Sequence, residues 1–170
     1  MRNGNMGRWI LAGLGTILLT VTGCDCGSSC EHNLASDQSQ IIGQIQNHHY
    51  YWDGRELDNF FGLFTEDVVT HSYRAENPDP IWTSIDLKVL EEGSRNYLKS
   101  QEGKRSRHHP SGIQFLEITD TTATTRHTAL IVHTEGDNPQ PSVSMSAVYV
   151  IQWVKVDGIW LIKQRDFYRD

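Results

Sequence analysis

Two neighbouring histidines and one upstream aspartate are the residues of this chain best suited to acid–base work. His108 and His109 stand in Lys104-Arg105-Ser106-Arg107-His108-His109-Pro110-Ser111-Gly112, between a helical pattern ending near Ser100 and a strand pattern beginning near Ile113. Histidine titrates near neutrality, so an imidazole held by a carboxylate can take and return protons at working pH. The carboxylate expected to hold it is Asp53, in Tyr50-Tyr51-Trp52-Asp53-Gly54, at the end of an amphipathic helix. With Asp53 accepting from one ring nitrogen of His108, the tautomer is fixed and the other nitrogen is left as a base. Side chains alternate along a strand, so His109 should point away from His108 and serve the surface. His127 and His133 lie an even number of positions apart, share a face with Ala129 and Ile131, and should look into a pocket. His133 is expected as a second catalytic contact to a ligand there. The competing reading of each histidine is a core side chain that satisfies buried polar groups and does no chemistry.

Other chemistries leave weaker traces. His71, His108 and His133 would offer imidazoles to zinc or iron if three strands brought them together, but no His-Glu-x-x-His or similar short spacing is present. No metal and no cofactor is therefore expected. No serine or cysteine sits in a nucleophile signature such as Gly-x-Ser-x-Gly. Trp82, Tyr149, Trp153, Trp160 and Phe167 read as core and pocket wall rather than a stacking platform for bases. The basic run Lys104 to Arg107 reads as a solvated turn. No internal repeat, glycine-rich phosphate loop or basic stripe occurs.

The elements that must position these residues follow from periodicity. Ser36 or Asp37 can cap a helix over Asp37 to Trp52, with Ile41, Ile42, Ile45, His49 and Trp52 on one face and Gly54 as a stop. A short second helix carries Leu57, Phe60, Phe61 and Phe64, and Val68 to Tyr73 reads as a strand. After the Asn77-Pro78-Asp79-Pro80 turn and a short Ile81-Trp82-Thr83 strand, Ser84 or Asp86 can cap a third helix striped by Leu87, Leu90, Tyr97 and Leu98. The rest is strand: Ile113 to Thr119, Ala123 to Thr134, a polar loop with Gly136, Pro139 and Pro141, Ser142 to Val156, an Asp157-Gly158 hairpin turn, and Ile159 to Tyr168. Helices followed by long antiparallel strands give an α+β domain, its helices covering one face of a curved sheet and enclosing a pocket for a small ligand.

The N-terminus carries an address. Arg2 and Arg8 precede an uncharged, mostly apolar run from Trp9 to Val21, too short to span a membrane comfortably but suited to a secretory signal. Val21-Thr22-Gly23-Cys24 then resembles the bacterial lipobox, at which the cysteine is lipidated and the chain is cut before it; a transmembrane anchor or an ordinary cleaved signal is the alternative. This implies a signal peptide over residues 1–23, a flexible tether over 24–36 starting at lipidated Cys24, and a domain over 37–170. The location is then the bacterial cell envelope, in the periplasm or on the outer face of the cytoplasmic membrane, with lipid as the only membrane contact. Losing Arg2 and Arg8 takes the net charge from −6 to −8, which disfavours nucleic acid and anionic lipid head groups as partners. Cys26 and Cys30 could pair in an oxidising compartment, and a metal site with His32 is the sharper but less favoured reading.

From Ser39 to Asp170 the chain resembles the SnoaL-like group of the nuclear transport factor 2 superfamily. The resemblance rests on Tyr51-Trp52-Asp53-Gly54-Arg55-Glu56-Leu57-Asp58, on Leu63-Phe64-Thr65-Glu66-Asp67-Val68-Val69, on Arg107-His108-His109-Pro110-Ser111, and on the hairpin from Trp153 to Ile162. It implies a cone-shaped fold, helices packed on a strongly curved antiparallel sheet around a pocket. In its scytalone dehydratase branch, which eliminates water from a cyclic ketone, the catalytic pattern falls on Asp53, His108 and His133. Two tyrosines of that pattern fall on Trp52 and His71, and a serine and an asparagine fall on Ala147 and Tyr149. These departures argue against the same substrate. Trp52, His71, Trp82 and Tyr149 are thus expected around the substrate. The resemblance implies a small apolar or cyclic ligand, a cofactor-independent lyase or isomerase of the dehydratase type, and a homodimer formed through the sheet. The alternative is a non-catalytic ligand-binding or accessory lipoprotein.

Overall fold

A computed structural model describes residues 28–74, 77–136 and 138–170, with side chains from residue 34 onward except 138 and 139. Cys24 and Cys26, and the signal segment before them, lie outside the described residues, as does the side chain of Cys30. The order of elements is α1 (Ser28–Gly54), α2 (Leu57–Phe61), β1 (Phe64–Arg74), β2 (Trp82–Ser84), α3 (Leu87–Ser100), β3 (Lys104–Ile118), β4 (Thr122–Glu135), β5 (Asn138–Val156) and β6 (Ile159–Arg169). The strands form a six-stranded sheet in the order β2-β1-β6-β5-β4-β3. Pairing is antiparallel throughout except between β1 and β6, which run parallel, a pairing the all-antiparallel expectation did not contain.

One row of α1 explains how the helical layer sits on the sheet. Asp37, Ile41, Ile45, His49 and Asp53 recur every four residues, and such residues stack along one helix face. Ile41 and Ile45 are fully buried, and Asp37 and His49 nearly so. Helix α1 is already helical from Ser28, nine residues ahead of the expected start at Asp37, while residues 24–27 of the expected tether over 24–36 lie outside the described residues. Asp37 does not cap: its carboxylate faces the sheet, 2.6 Å from Lys155 Nζ and 3.2 Å from Trp160 Nε1. At the other end α1 runs on through Gly54, the expected stop, and the left-handed conformation falls on Arg55 (φ 58°).

The core lies between this row and the inward residues of β4, β5 and β6. Ala123, Thr125, His127, Ala129 and Ile131 alternate along β4, and Ala147, Tyr149, Ile151 and Trp153 along β5, all buried. The Asp157-Gly158 turn is formed as expected, both residues at positive φ (50° and 83°). Strand β3 begins at Lys104 rather than near Ile113, so the basic run taken for a turn is the start of a strand: Arg105 and Arg107 face out, Ser106 and His108 face in, and Arg105 pairs with Thr134. Strand β5 likewise takes in Pro139 and Pro141, where a loop was expected. That overhanging segment pairs with β4 alone, so the missing proline N–H groups cost the sheet little. Asp86 caps α3 by accepting from Val89 N–H at 2.8 Å, whereas Ser84, the other capping candidate, ends β2 and is bonded to Thr70 at 2.8 Å.

Two irregularities bend the sheet. Gly112 (φ 62°) lies where the β3–β4 register shifts between Ser111 and Gln114. On β6, Trp153 faces Ile162 but Gln152 faces Gln164, so Lys163 is an extra residue. The bulge reverses parity: Trp160 and Ile162 point into the core before it, and Arg165, Phe167 and Arg169 border the interior after it.

Candidate functional site

Asp53 ends the buried row of α1 where β3 passes beneath it, and its carboxylate accepts three hydrogen bonds from that strand. The His108 backbone N–H donates to Oδ2 at 2.7 Å, His108 Nδ1–H donates to Oδ1 at 2.6 Å, and Ser106 Oγ–H donates to Oδ1 at 2.8 Å. Ser106 and His108 are alternate residues on the inward face of β3, which is why one carboxylate meets both. The His108 and Asp53 side chains are 8% and 9% exposed. A carboxylate only accepts here, so the His108 proton is on Nδ1, and the other ring nitrogen, Nε2, is left as the acceptor. Burial disfavours the Asp53 charge, but the hydrogen bond and proximity of the His108 ring, with the His108 and Ser106 donors, outweigh it and hold the carboxyl below its ordinary pKa.

A second layer of imidazoles backs this pair. The His49 ring stacks on His108 at 5.2 Å, and His49 Nε2 lies 3.0 Å from His127 Nε2. His127 stacks in turn on its cross-strand partner Tyr149, rings 4.9 Å apart. Burial, then the charges of His108, His127 and Arg165, lower the His49 pKa to about 2; burial lowers His127 to about 4. The His48 pKa is also held well below its ordinary value, by burial first and then by the neighbouring His49 and Arg165. Arg165 Nη1 donates to His48 Nε2 at 2.9 Å, which puts the His48 proton on Nδ1. Burial raises the Tyr149 phenol well above its ordinary value.

All of these groups except His127 border a cavity of about 410 Å³ between the helices and the sheet. Asp53, His108, His133, Trp52, Trp82 and Tyr149 all line it. His71 borders it too, but its Nδ1 is engaged by Thr83 Oγ1 at 3.0 Å and its ring lies 6.0 Å from that of Tyr73. His109 is exposed. The His133 pKa is lowered by burial first, then by the nearby His108 and Lys104. The mouth is shaped by Trp82, which lies against Gly93 of α3, and by Trp52, whose ring stacks with Tyr97 at 6.1 Å. Arg55 pins the rim by donating to the carbonyls of Gln101 and Lys104, both at 2.8 Å. His71, His108 and His133 do not gather into a group that would hold a metal ion, nor do any other His, Cys, Asp or Glu among the described residues.

Sequence reasoning did not name His48 or Arg165, and it placed His49 on the apolar face of the first helix without a part in the site. For His49 a signal existed, since it lies one helical turn before Asp53 on the same row. For Arg165 none did, because the bulge at Lys163 reverses the alternation that leads up to it.

The fold is shared with solved structures at low identity. A protein assigned as the beta subunit of an aromatic-ring-hydroxylating dioxygenase from Novosphingobium aromaticivorans matches with a TM-score of 0.71 and 15% identity, over 81% of this chain and 91% of that one. A protein assigned as a scytalone dehydratase from the same organism matches with a TM-score of 0.68 and 21% identity, over 82% and 88%. ActVI-ORFA of Streptomyces coelicolor matches with a TM-score of 0.68 and 16% identity, over 79% and 98%. The sequence matches none of the curated proteins. Over residues 34–166 the chain fits the family model of the SnoaL-like domain, and it belongs to that family, within the nuclear transport factor 2-like superfamily.

Proposed function

We propose that this domain binds a small cyclic or largely apolar molecule in its cavity and acts on it as a cofactor-independent lyase or isomerase of the dehydratase type. The observation that carries the reading is the 2.6 Å contact between Asp53 Oδ1 and His108 Nδ1 at the wall of a 410 Å³ cavity. His108 Nε2 takes a proton from carbon next to a carbonyl. The C–H electron pair then forms the new double bond and expels a β-hydroxyl, which leaves as water after receiving the proton back from Nε2. Proton transfer by a positioned base such as His108 contributes about 10²–10⁴-fold, and Asp53 keeps the ring in the correct tautomer and stabilises the imidazolium. His133, on the same wall, is the second polar contact to the substrate. One neighbour of this fold, from Novosphingobium aromaticivorans, is itself assigned as a scytalone dehydratase, which supports the dehydratase reading.

A ligand-binding role without turnover is favoured by one feature: Trp52 and His71 stand where the dehydratase pattern has tyrosines, so no phenol is offered to a carbonyl oxygen from those positions. One experiment separates the two. The purified domain is incubated with a metabolite extract, the retained compound is identified by mass spectrometry, and its conversion is followed with the parent chain and with His108→Ala. Conversion that falls at least about 100-fold in the variant supports the enzyme; a compound held unchanged by both proteins leaves a binding protein.

The envelope address is part of the same proposal. Cys24 becomes an acylated N-terminus that tethers the domain to a membrane without inserting it. Cys24→Ser should move the protein from the membrane to the soluble fraction, and equal partition of both forms would overturn the anchor. Strands β3, β4 and β5 expose Leu116, Leu130 and Val143, and pairing of two copies there should double the mass measured by light scattering.

A further inference from the structure

The charge around the cavity runs against that of the chain. The chain carries a net charge of −6, yet among the described residues the cavity is bordered by Arg55, Lys104, Arg105, Arg165 and Arg169 and by a single carboxylate, Asp53. Asp53 is already committed to His108 and Ser106. Three of the cations are accounted for at the rim. Arg55 donates to two carbonyls, Lys104 lies 3.7 Å from Glu135, and Arg105 is exposed.

Arg165 and Arg169 are different. Both lie past the bulge of β6 with Phe167 between them, and all three border the cavity. Among the described residues neither guanidinium has a carboxylate partner. The Nε of each is buried without a hydrogen-bond partner. Arg165 spends one donor on neutral His48 and lies over the Phe64 ring at 5.6 Å. A guanidinium drawn out of water without a counter-charge is costly, and its planar fork matches a carboxylate. Such a pair is stable when a ligand supplies the missing negative charge.

We propose that the ligand of this cavity carries an anionic group, a carboxylate on a cyclic or otherwise apolar body, held by Arg165 and Arg169 while the body lies against Trp52, Trp82 and Phe167. This rests on the reading of the cavity as a ligand site and adds the chemical class of what enters it.

The test compares two probes of one shape and different charge, 2-naphthoate and 2-naphthamide, by titration calorimetry and quenching of tryptophan fluorescence. The acid should bind at least about tenfold more tightly than the amide, as expected of charge-assisted hydrogen bonds in an enclosed site. Arg165→Gln and Arg169→Gln should each weaken the acid far more than the amide and so remove most of that preference, with the thermal midpoint confirming that each variant is folded. Equal binding of acid and amide by the parent chain overturns the anion proposal and leaves the cavity reading intact. Binding of neither probe overturns both. A preference for the acid that survives both substitutions places its origin outside the two arginines and overturns the assignment.

Discussion

Replacing Asp53 by asparagine changes one oxygen to an amide nitrogen at a site where all the partners are donors. The carboxylate receives the His108 backbone N–H at 2.7 Å, His108 Nδ1–H at 2.6 Å and Ser106 Oγ–H at 2.8 Å. An amide offers one acceptor atom in place of two. If its oxygen stays with Nδ1, its NH₂ faces the backbone N–H; if it flips, the NH₂ faces the ring and selects the other tautomer, with the proton on Nε2 and no base left in the cavity. Hydrogen bonds to a charged acceptor contribute about 1.5–3 kcal/mol each, so losing one and weakening the others should cost about 2–3 kcal/mol. For a chain of this length that is a fall of about 4–12 °C in Tm. The cost should depend on pH with a definite sign. The folded-state pKa of Asp53 is lowered, so its contribution is fully present above the ordinary carboxylate range and is lost as pH falls through the lowered value. The gap between parent and Asp53→Asn should therefore close in acid. Thermal melts from neutral to acidic pH read the stability, and ¹⁵N shifts of the His108 ring read the tautomer directly. Parent protein with its His108 proton on Nε2, or an Asp53→Asn variant that keeps both the Nδ1–H tautomer and the parent Tm, would refute the account.

His127 is held at a pKa of about 4 against 6.5 for the free side chain, so below pH 6.5 the unfolded chain binds a proton the folded one refuses. Stability should drop by on the order of 3 kcal/mol between those pH values from this residue alone, and His127→Gln should flatten the urea-midpoint profile over that range. Asp37→Ala removes a nearly buried carboxylate from Lys155 and Trp160 and should cost about 2–4 kcal/mol in chemical denaturation; an unchanged midpoint would show that the upper end of α1 is not pinned there. A Cβ on Gly93 would lie 2.8 Å from Trp82 Cζ2, so Gly93→Ala should push that ring toward the cavity, shifting tryptophan emission and weakening probe binding, read by fluorescence titration. Arg55→Ala gives up two 2.8 Å hydrogen bonds that tie the end of α1 to the α3–β3 connection; it should loosen the rim and raise amide exchange at Gln101 to Lys104.

What could be read in the sequence and what could not divide along a physical line. Signals carried within one element survived into the structure: the Asp157-Gly158 hairpin, the Asp86 cap, the inward face shared by His127 and His133. Asp53 and His108 were legible because each lies on one face of its element, Asp53 on the buried row of α1 and His108 on the inward face of β3. Signals that depend on a partner were misread. Asp37 has the chemistry of a cap, and only the presence of Lys155 and Trp160 on the sheet turns it into an anchor in mid-helix. Lys104 to Arg107 has the composition of a solvated turn, yet it begins a strand that turns Ser106 toward the interior and leaves Arg105 and Arg107 exposed. Arg165 follows Trp160 and Ile162 at odd spacing, so strict alternation puts it outside. A single extra residue, Lys163, reverses the face, and no local composition announces it.

The buried imidazoles give the dyad its electrical setting. When His108 takes a proton it becomes a cation stacked 5.2 Å from His49 and enclosed by protein on that side. A charged His49 would oppose that step, because like charges at such a distance in a poorly screened interior repel strongly. Burial prevents it: with a pKa near 2, His49 remains neutral while bonded to His127, whose own pKa near 4 keeps the second ring neutral as well. The negative charge nearest the new cation is then Asp53, in direct contact with it. The row on α1 that places a carboxylate at one end and apolar isoleucines in the middle thus sets, at the turn between them, a histidine that packs against the base without competing for its proton. Substituting His49 by lysine would test how much this neutrality matters. If Asp53 alone governs His108, conversion should survive the change; if the neutral stack is part of the design, conversion should collapse at neutral pH even where the fold is retained.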